Sequence, residues 1–179
     1  MPWEREEGMS AAEPKGCGTA ETAAEQAGGA VRILPMRAAD VKEVHAIEKD
    51  SFPSPWPRRA FLKALQWENA RFITAFEGER VVGYAGIRLG RCVPAHIVNI
   101  AVHRDYRRRK IGGTLLSFLV EVAARHGARC VILEVRASNT AAQEMYRKFG
   151  FEPVALRKKY YVREREDAIV MAKDIAGRA

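Results

Sequence analysis

No periodic apolar pattern starts before Val31. The first thirty residues hold no Val, Ile, Leu or Phe, and Ala and Gly supply twelve of them. Such a segment buries too little surface to offset the entropy of ordering it. Residues 1–30 are therefore expected to be a flexible tail, and residues 31–175 the folded domain. Val31-Arg32-Ile33-Leu34 then reads as a short strand. Val41, Val44, His45 and Ile47 recur at helical spacing behind Asp40, a residue suited to an N-cap. Residues 52–57 carry three prolines within five positions and must form a loop. A second helix is expected beyond them, with Phe61, Leu62 and Leu65 on one side. Residues 71–76 and 81–89 read as two strands across the turn Glu77-Gly78-Glu79-Arg80, and residues 97–102 as a third.

From there helices alternate with strands. The polar turn from His103 runs into Arg108-Arg109-Lys110-Ile111-Gly112-Gly113, followed by a helix with Leu115, Leu116, Leu119, Val122 and Ala123 as a broad stripe. Cys130-Val131-Ile132-Leu133-Glu134-Val135 is a strand apolar on both faces, hence buried, with one carboxylate in its middle. Asn139 can cap a further helix, on which Ala142, Met145, Tyr146 and Phe149 fall at i, i+3, i+4 and i+7, and Gly150 ends it. A meander of strands followed by alternating helices and strands predicts a mixed α+β sheet domain.

Charge sharpens this picture. The chain is net +8, but the tail is net −4, so the domain is net +12. That balance favours acidic partners such as phosphate-bearing ligands. Strand, basic glycine-containing turn and helix is the arrangement that aims main-chain N–H groups at a phosphate; a solvated basic turn before a core helix would look the same. Glu134 needs a partner, water or a raised pKa: either a proton-transfer group, or a structural ion pair with Arg136 or Arg157. Tyr146 lies on an apolar helix face, where most tyrosines are simply core. Three widely spaced cysteines without nearby histidines exclude a disulfide scaffold or zinc site. No apolar run is long enough to span a membrane and the N-terminus lacks a secretory signal, so a cytoplasmic protein is expected.

Taken together, Asn99-Ile-Ala-Val102, Tyr106 through Gly112-Gly113, Leu133-Glu-Val-Arg-Ala-Ser-Asn139, Met145-Tyr146 and Phe149-Gly-Phe151 resemble the GNAT acyltransferase superfamily, most of all its RimI-like ribosomal-protein-alanine N-acetyltransferases and their archaeal N-terminal acetyltransferase relatives. The resemblance implies a mostly antiparallel mixed sheet with splayed central strands, about four flanking helices, and acetyl-CoA in the gap. It implies that Ile100, Ala101 and Val102 pair with the pantetheine arm, that main-chain groups of Arg108, Arg109, Lys110, Ile111, Gly112 and Gly113 hold the pyrophosphate, and that Asn139 meets the pantetheine. Glu134 would be the general base and Tyr146 the general acid. Phe52, Trp56, Tyr160 and Tyr161 would border the acceptor peptide, possible acceptors including a ribosomal protein with N-terminal Ala. No metal is implied. Lys110 stands where the family usually has glycine; with Gly112 intact, the site is expected to be helical already and lysine harmless there.

The chemistry fits an α-amine. Deprotonating one at neutral pH costs about 1 kcal/mol, against roughly 4–5 for lysine, and a carboxylate raised towards neutrality could take that proton. A tyrosine O–H suits a departing thiolate. Two other readings compete: a GNAT enzyme acting on a small-molecule amine or lysine, and an RNA-binding module using Arg107 to Lys110 and Arg157-Lys158-Lys159. A net +12 domain is a poor host for a polycation, and no aromatic residues interleave the basic runs as single-strand binding requires.

Overall fold

The two periodicities resolve, in a computed structural model describing residues 31–90 and 93–176, into seven strands and four helices. The expected tail lies outside the described residues. The strands are β1 (Val31–Pro35), β2 (Ala70–Glu77), β3 (Arg80–Arg88), β4 (Ala95–Val102), β5 (Cys130–Arg136), β6 (Glu152–Tyr161) and β7 (Glu166–Asp174). They form one sheet in the order β1-β2-β3-β4-β5-β7-β6. Every neighbouring pair is antiparallel except β4 with β5. That single parallel pair needs a crossover, supplied by α3 (Ile111–Arg125). The helices α1 (Val41–Ser51), α2 (Arg58–Ala64) and α4 (Thr140–Lys148) complete the layers.

Two apolar clusters sit on opposite faces of the sheet. On one, Leu115, Leu116 and Leu119 of α3 and Tyr146 of α4 pack over Ile97, Leu133, Val135 and Met171. On the other, Val44 and Ile47 of α1 and Phe61 of α2 cover Phe72, Tyr84 and Ala101. β4 serves both faces out of strict alternation. Ile87 of β3 registers with Ile97, but Gly86 registers with Asn99, so Val98 is an extra residue. This bulge bends β4 and re-aims its later side chains.

Two local expectations differ. α2 buries Phe61 and Ala64, while Leu62 is 41% exposed, because this two-turn helix rests on the sheet by one edge only. Asp40 does not cap α1 with its side chain; its carboxylate turns back to accept the Arg37 N–H at 2.8 Å. Asn139 does cap α4, accepting from the Ala142 N–H at 3.1 Å, and Gly150 follows at φ +80°.

Candidate active site

β4 and β5 pair at only three positions, Ala95 with Val131, His96 with Ile132 and Ile97 with Leu133. Beyond them β4 continues to Val102 against β3, and β5 to Arg136 against β7. The two strands therefore diverge, leaving facing edges that no strand pairs. The Val98 bulge lies where they part. Glu134 is the first residue of β5 past that point. Leu133 and Val135 point into the α3 side of the core, so alternation aims Glu134 to the opposite face.

There the carboxylate meets an imidazole and a guanidinium. His96 Nε2 lies 2.6 Å from Oε2, and Arg157 Nη1 lies 3.0 Å from Oε1, the latter a charge contact without hydrogen-bond alignment. Burial acts to raise the Glu134 carboxyl, but the His96 hydrogen bond and charge, aided by Arg157, outweigh it and hold the group below its ordinary range. The direction is opposite to the expected carboxylate raised towards neutrality, because one oxygen is hydrogen-bonded to His96 and the other faces the Arg157 guanidinium. Arg157 is also the partner foreseen for a structural ion pair; Arg136 is not. Arg136 instead pairs with Glu166 at 2.8 Å and Glu164 at 3.4 Å, and lies 3.9 Å from the Tyr161 ring centroid.

Tyr146 approaches from the other face. It is buried in the α3–α4 core with its ring 6.0 Å from that of Phe151, and its hydroxyl makes no hydrogen bond among the described residues. Burial pushes its pKa well up, with a smaller contribution from Tyr161. Glu134 and Tyr146 thus flank the divergence from opposite sides of the sheet.

The four aromatic residues expected to border an acceptor lie on two segments, the end of β6 and the loop between α1 and α2. A register shift between Arg157 and Tyr161 frees the end of β6 from strict pairing, with Lys159 left-handed at φ +51° and its N–H bound to Asp167 at 2.8 Å. That bulge turns Tyr160 and Tyr161 inward, their rings edge-to-face at 5.3 Å. Burial raises both hydroxyls, Tyr161 to about 12. Ser54 Oγ, in the loop between α1 and α2, donates to Glu164 at 3.0 Å, tying that loop to the β6–β7 turn. Phe52 and Trp56 lie on the same loop, both half-buried, and the Trp56 ring packs on Phe61 at 5.5 Å.

At the other end of β4 the basic turn divides its labour. Arg107 is bound to the Val102 carbonyl at 3.1 Å, and Arg109 pairs with Glu77 and covers the Tyr106 ring at 5.2 Å. Arg108 and Lys110 have side chains without partners among the described residues, and both backbones are left-handed, at φ +62° and +63°. Lys110 is therefore not helical as expected; it is the N-cap of α3, its carbonyl accepting the Thr114 N–H at 3.0 Å. The turn has to reverse direction within a few residues to start α3 under β4, and this geometry does it. A Cβ on Gly113 would lie 2.7 Å from the Phe149 ring, so that glycine serves the α3–α4 contact as well as any ligand.

The model of the acetyltransferase (GNAT) family matches residues 41–151. The chain belongs to the GNAT acetyltransferase family. Among its relatives, N-alpha-acetyltransferase RimI of Mycobacterium tuberculosis is 39% identical over 149 residues, spanning 80% of this chain and 92% of that one. The ribosomal protein bS18-alanine N-acetyltransferase of Escherichia coli (strain K12) is 30% identical, spanning 80% and 97%. The crystal structure of the ribosomal-protein-S18-alanine N-acetyltransferase from Escherichia coli aligns with TM-score 0.73 at 31% identity, over 81% of this chain and 94% of that chain.

As an acetyltransferase the protein uses acetyl-CoA, and its residues fit that cosubstrate. The unpaired edge of β4 after Ile97 offers main-chain groups to a pantetheine amide chain, as a further strand would. The first N–H groups of α3, on Ile111, Gly112 and Gly113, have no intrahelical acceptor and would suit an anion. Arg108 and Lys110 add free positive charge. Asn139 spends its carbonyl oxygen on the α4 cap, leaving its amide N–H groups for a ligand.

Two site residues escaped the sequence reading. His96 lay one residue outside the expected strand 97–102 and was given no role, since its contact with Glu134 spans 38 residues. Glu48, 1% exposed on α1, accepts the Trp56 N–H at 2.8 Å, the Tyr84 hydroxyl, and Asn99 Nδ2 at 3.4 Å. It fixes the acceptor loop to the sheet. The one signal was a glutamate on the apolar side of a short amphipathic helix.

Proposed function

We propose that this acetyltransferase transfers the acetyl group to the α-amino terminus of a protein, by direct attack on acetyl-CoA in a ternary complex. The observation that carries the reading is the Glu134 cluster, set at the divergence of β4 and β5 and enclosed by the loop and turn that Ser54 and Glu164 join. An extended chain end can enter between Phe52, Trp56, Tyr160 and Tyr161 and place its amine beside the gap. There Glu134 and its hydrogen-bonded partner receive the ammonium proton, and Tyr146, from the opposite face, protonates the departing thiolate. Holding amine and thioester in attacking geometry supplies much of the rate. The names of the relatives support an α-amine acceptor, and a ribosomal protein with N-terminal Ala is the acceptor they favour. The reaction would take place in the cytoplasm, where such acceptors emerge; no helix among the described residues is long and apolar enough to cross a membrane.

The test is CoA release and mass-spectrometric site mapping on peptides with free Ala, Ser or Met N-termini, each carrying an internal lysine, beside N-blocked copies and spermidine. Acetylation confined to the free α-amine is expected. Modification of blocked peptides or of spermidine alone would overturn the substrate class.

A further inference from the structure

We propose that the acidic segment of residues 1–30 docks on the basic turn at residues 108–110 of its own chain and competes there with acetyl-CoA. This rests on the reading that the turn meets the pyrophosphate. Residues 1–30 hold six glutamates against Arg5 and Lys15. The part nearest the domain, residues 16–30, carries Glu21 and Glu25 and no Lys or Arg. The domain that follows is net +12.

The fold delivers this segment to the turn. Val31, the first residue of β1, has Glu77 at the end of β2 as its register partner. The Glu77 carboxylate pairs with Arg109, in the middle of the turn. Arg80, which opens β3 just beyond, lies over the Tyr106 ring at 5.4 Å. Arg109 is thus engaged by Glu77, while Arg108 and Lys110 on either side of it are exposed and without partners among the described residues. An extended chain spans about 3.3–3.6 Å per residue, so Glu25 reaches up to roughly 20 Å from Val31 and Glu21 up to roughly 35 Å. Either reach covers the one register pair and one ion pair that separate Val31 from Arg109. The other basic run, residues 157–159, stands on β6 at the opposite edge of the sheet, and there Arg157 and Lys158 pair with Glu134 and Asp167.

A ligand tethered in this way acts at an effective concentration of order millimolar, so weak pairing is enough to fill the turn. Glutamates on Arg108 and Lys110 occupy the positive charge that a pyrophosphate needs. Acetyl-CoA then binds by displacing the segment, and the free protein screens its own most anion-seeking surface.

The experiment titrates acetyl-CoA into the full chain and into the full chain carrying Glu21→Gln and Glu25→Gln. At about 10 mM salt, where charges act across roughly 30 Å, the variant is expected to bind about two- to fivefold tighter. At about 1 M, where that range is roughly 3 Å, the two should agree. Loss of negative charge alone would act in the same direction, so contact is also read directly. Carbodiimide joins a carboxylate to an ammonium only where the two touch. Mass mapping of the treated full chain should find Glu21 or Glu25 joined to Lys110, with the link suppressed by CoA. Equal affinities at low salt, links to Lys158 or Lys159 in place of Lys110, or a Lys110 link that saturating CoA leaves intact would overturn the proposal. The turn is tested apart from the segment. Arg108→Ser combined with Lys110→Ser should weaken CoA binding, and unchanged affinity in that variant defeats the pyrophosphate reading instead.

Discussion

At Lys110 an L-residue holds a backbone conformation that glycine adopts freely. The left-handed region costs an ordinary side chain roughly 1–2 kcal/mol, through the clash of Cβ with the following carbonyl. The lysine stands at the turn proposed to meet the pyrophosphate, with its side chain unpartnered among the described residues. Lys110→Gly should therefore do two opposite things. It should relieve strain, raising the midpoint of thermal unfolding by a few degrees, as about 1 kcal/mol does in a domain of this size. It should also weaken acetyl-CoA binding, with an effect that fades at high salt. Calorimetry and equilibrium titration separate the two, and a lowered midpoint would mean that Lys110 is held by more than its turn. Nothing in the string Arg-Arg-Arg-Lys-Ile-Gly-Gly betrays the positive φ. Which residue absorbs a reversal depends on how the strand before it is aimed, and β4 carries an extra residue at Val98 that shifts its later side chains.

Elements were the most legible level. α4 could be read almost residue by residue, from the Asn139 cap through the Tyr146 face to Gly150, because caps and periodicity are local. The strands β2 to β5 were equally plain. What local pattern hides is register: the same β4 and β5 sequences fit a fully paired ladder, and only tertiary packing decides that they part after Ile97. His96 and Glu48 stayed out of sight for that reason, their partners being set by which strand lies beside which. Contact between elements also revises one sequence argument. The Gly113 main chain was expected to help hold a pyrophosphate, and its missing Cβ also makes room for Phe149, packing α3 on α4. Gly113→Ala should destabilise the protein by about 1–3 kcal/mol through overpacking, measured by urea unfolding. Shortening the neighbour as Phe149→Leu in the same chain should recover part of the loss. If Gly113→Ala is neutral in stability but raises the KM for acetyl-CoA, the ligand argument is the correct one.

Across the whole molecule, charge and sheet pairing act together. The net +12 domain draws anionic ligands towards a turn where two cations are unpaired. The sheet beneath them is held at its centre by three residue pairs, with α3 and α4 spanning the join on one face and the Ser54–Glu164 bond linking the other. Acetyl-CoA bound along β4 would occupy the edge that β5 leaves. Binding to the folded state alone stabilises by about 2.7 kcal/mol at a hundredfold excess over Kd, so a thermal shift is expected. The gain should be local as well as global.

That locality has a signature in hydrogen–deuterium exchange. Strand amides that bond to a neighbouring strand exchange slowly, through sub-global opening, whereas those at an unpaired edge exchange as the edge frays. Amides of residues 98–102 on the side facing β5 should exchange fast in the free protein, while those bonded to β3 stay protected, giving one strand two exchange classes at alternate residues. Adding CoA should merge the classes from Val98 onward and leave Ala95 to Ile97 unchanged. The parting of β4 and β5 thereby turns the cosubstrate into a reporter strand, and the alternation of deuterium uptake along five residues becomes a readout of occupancy that needs no catalysis.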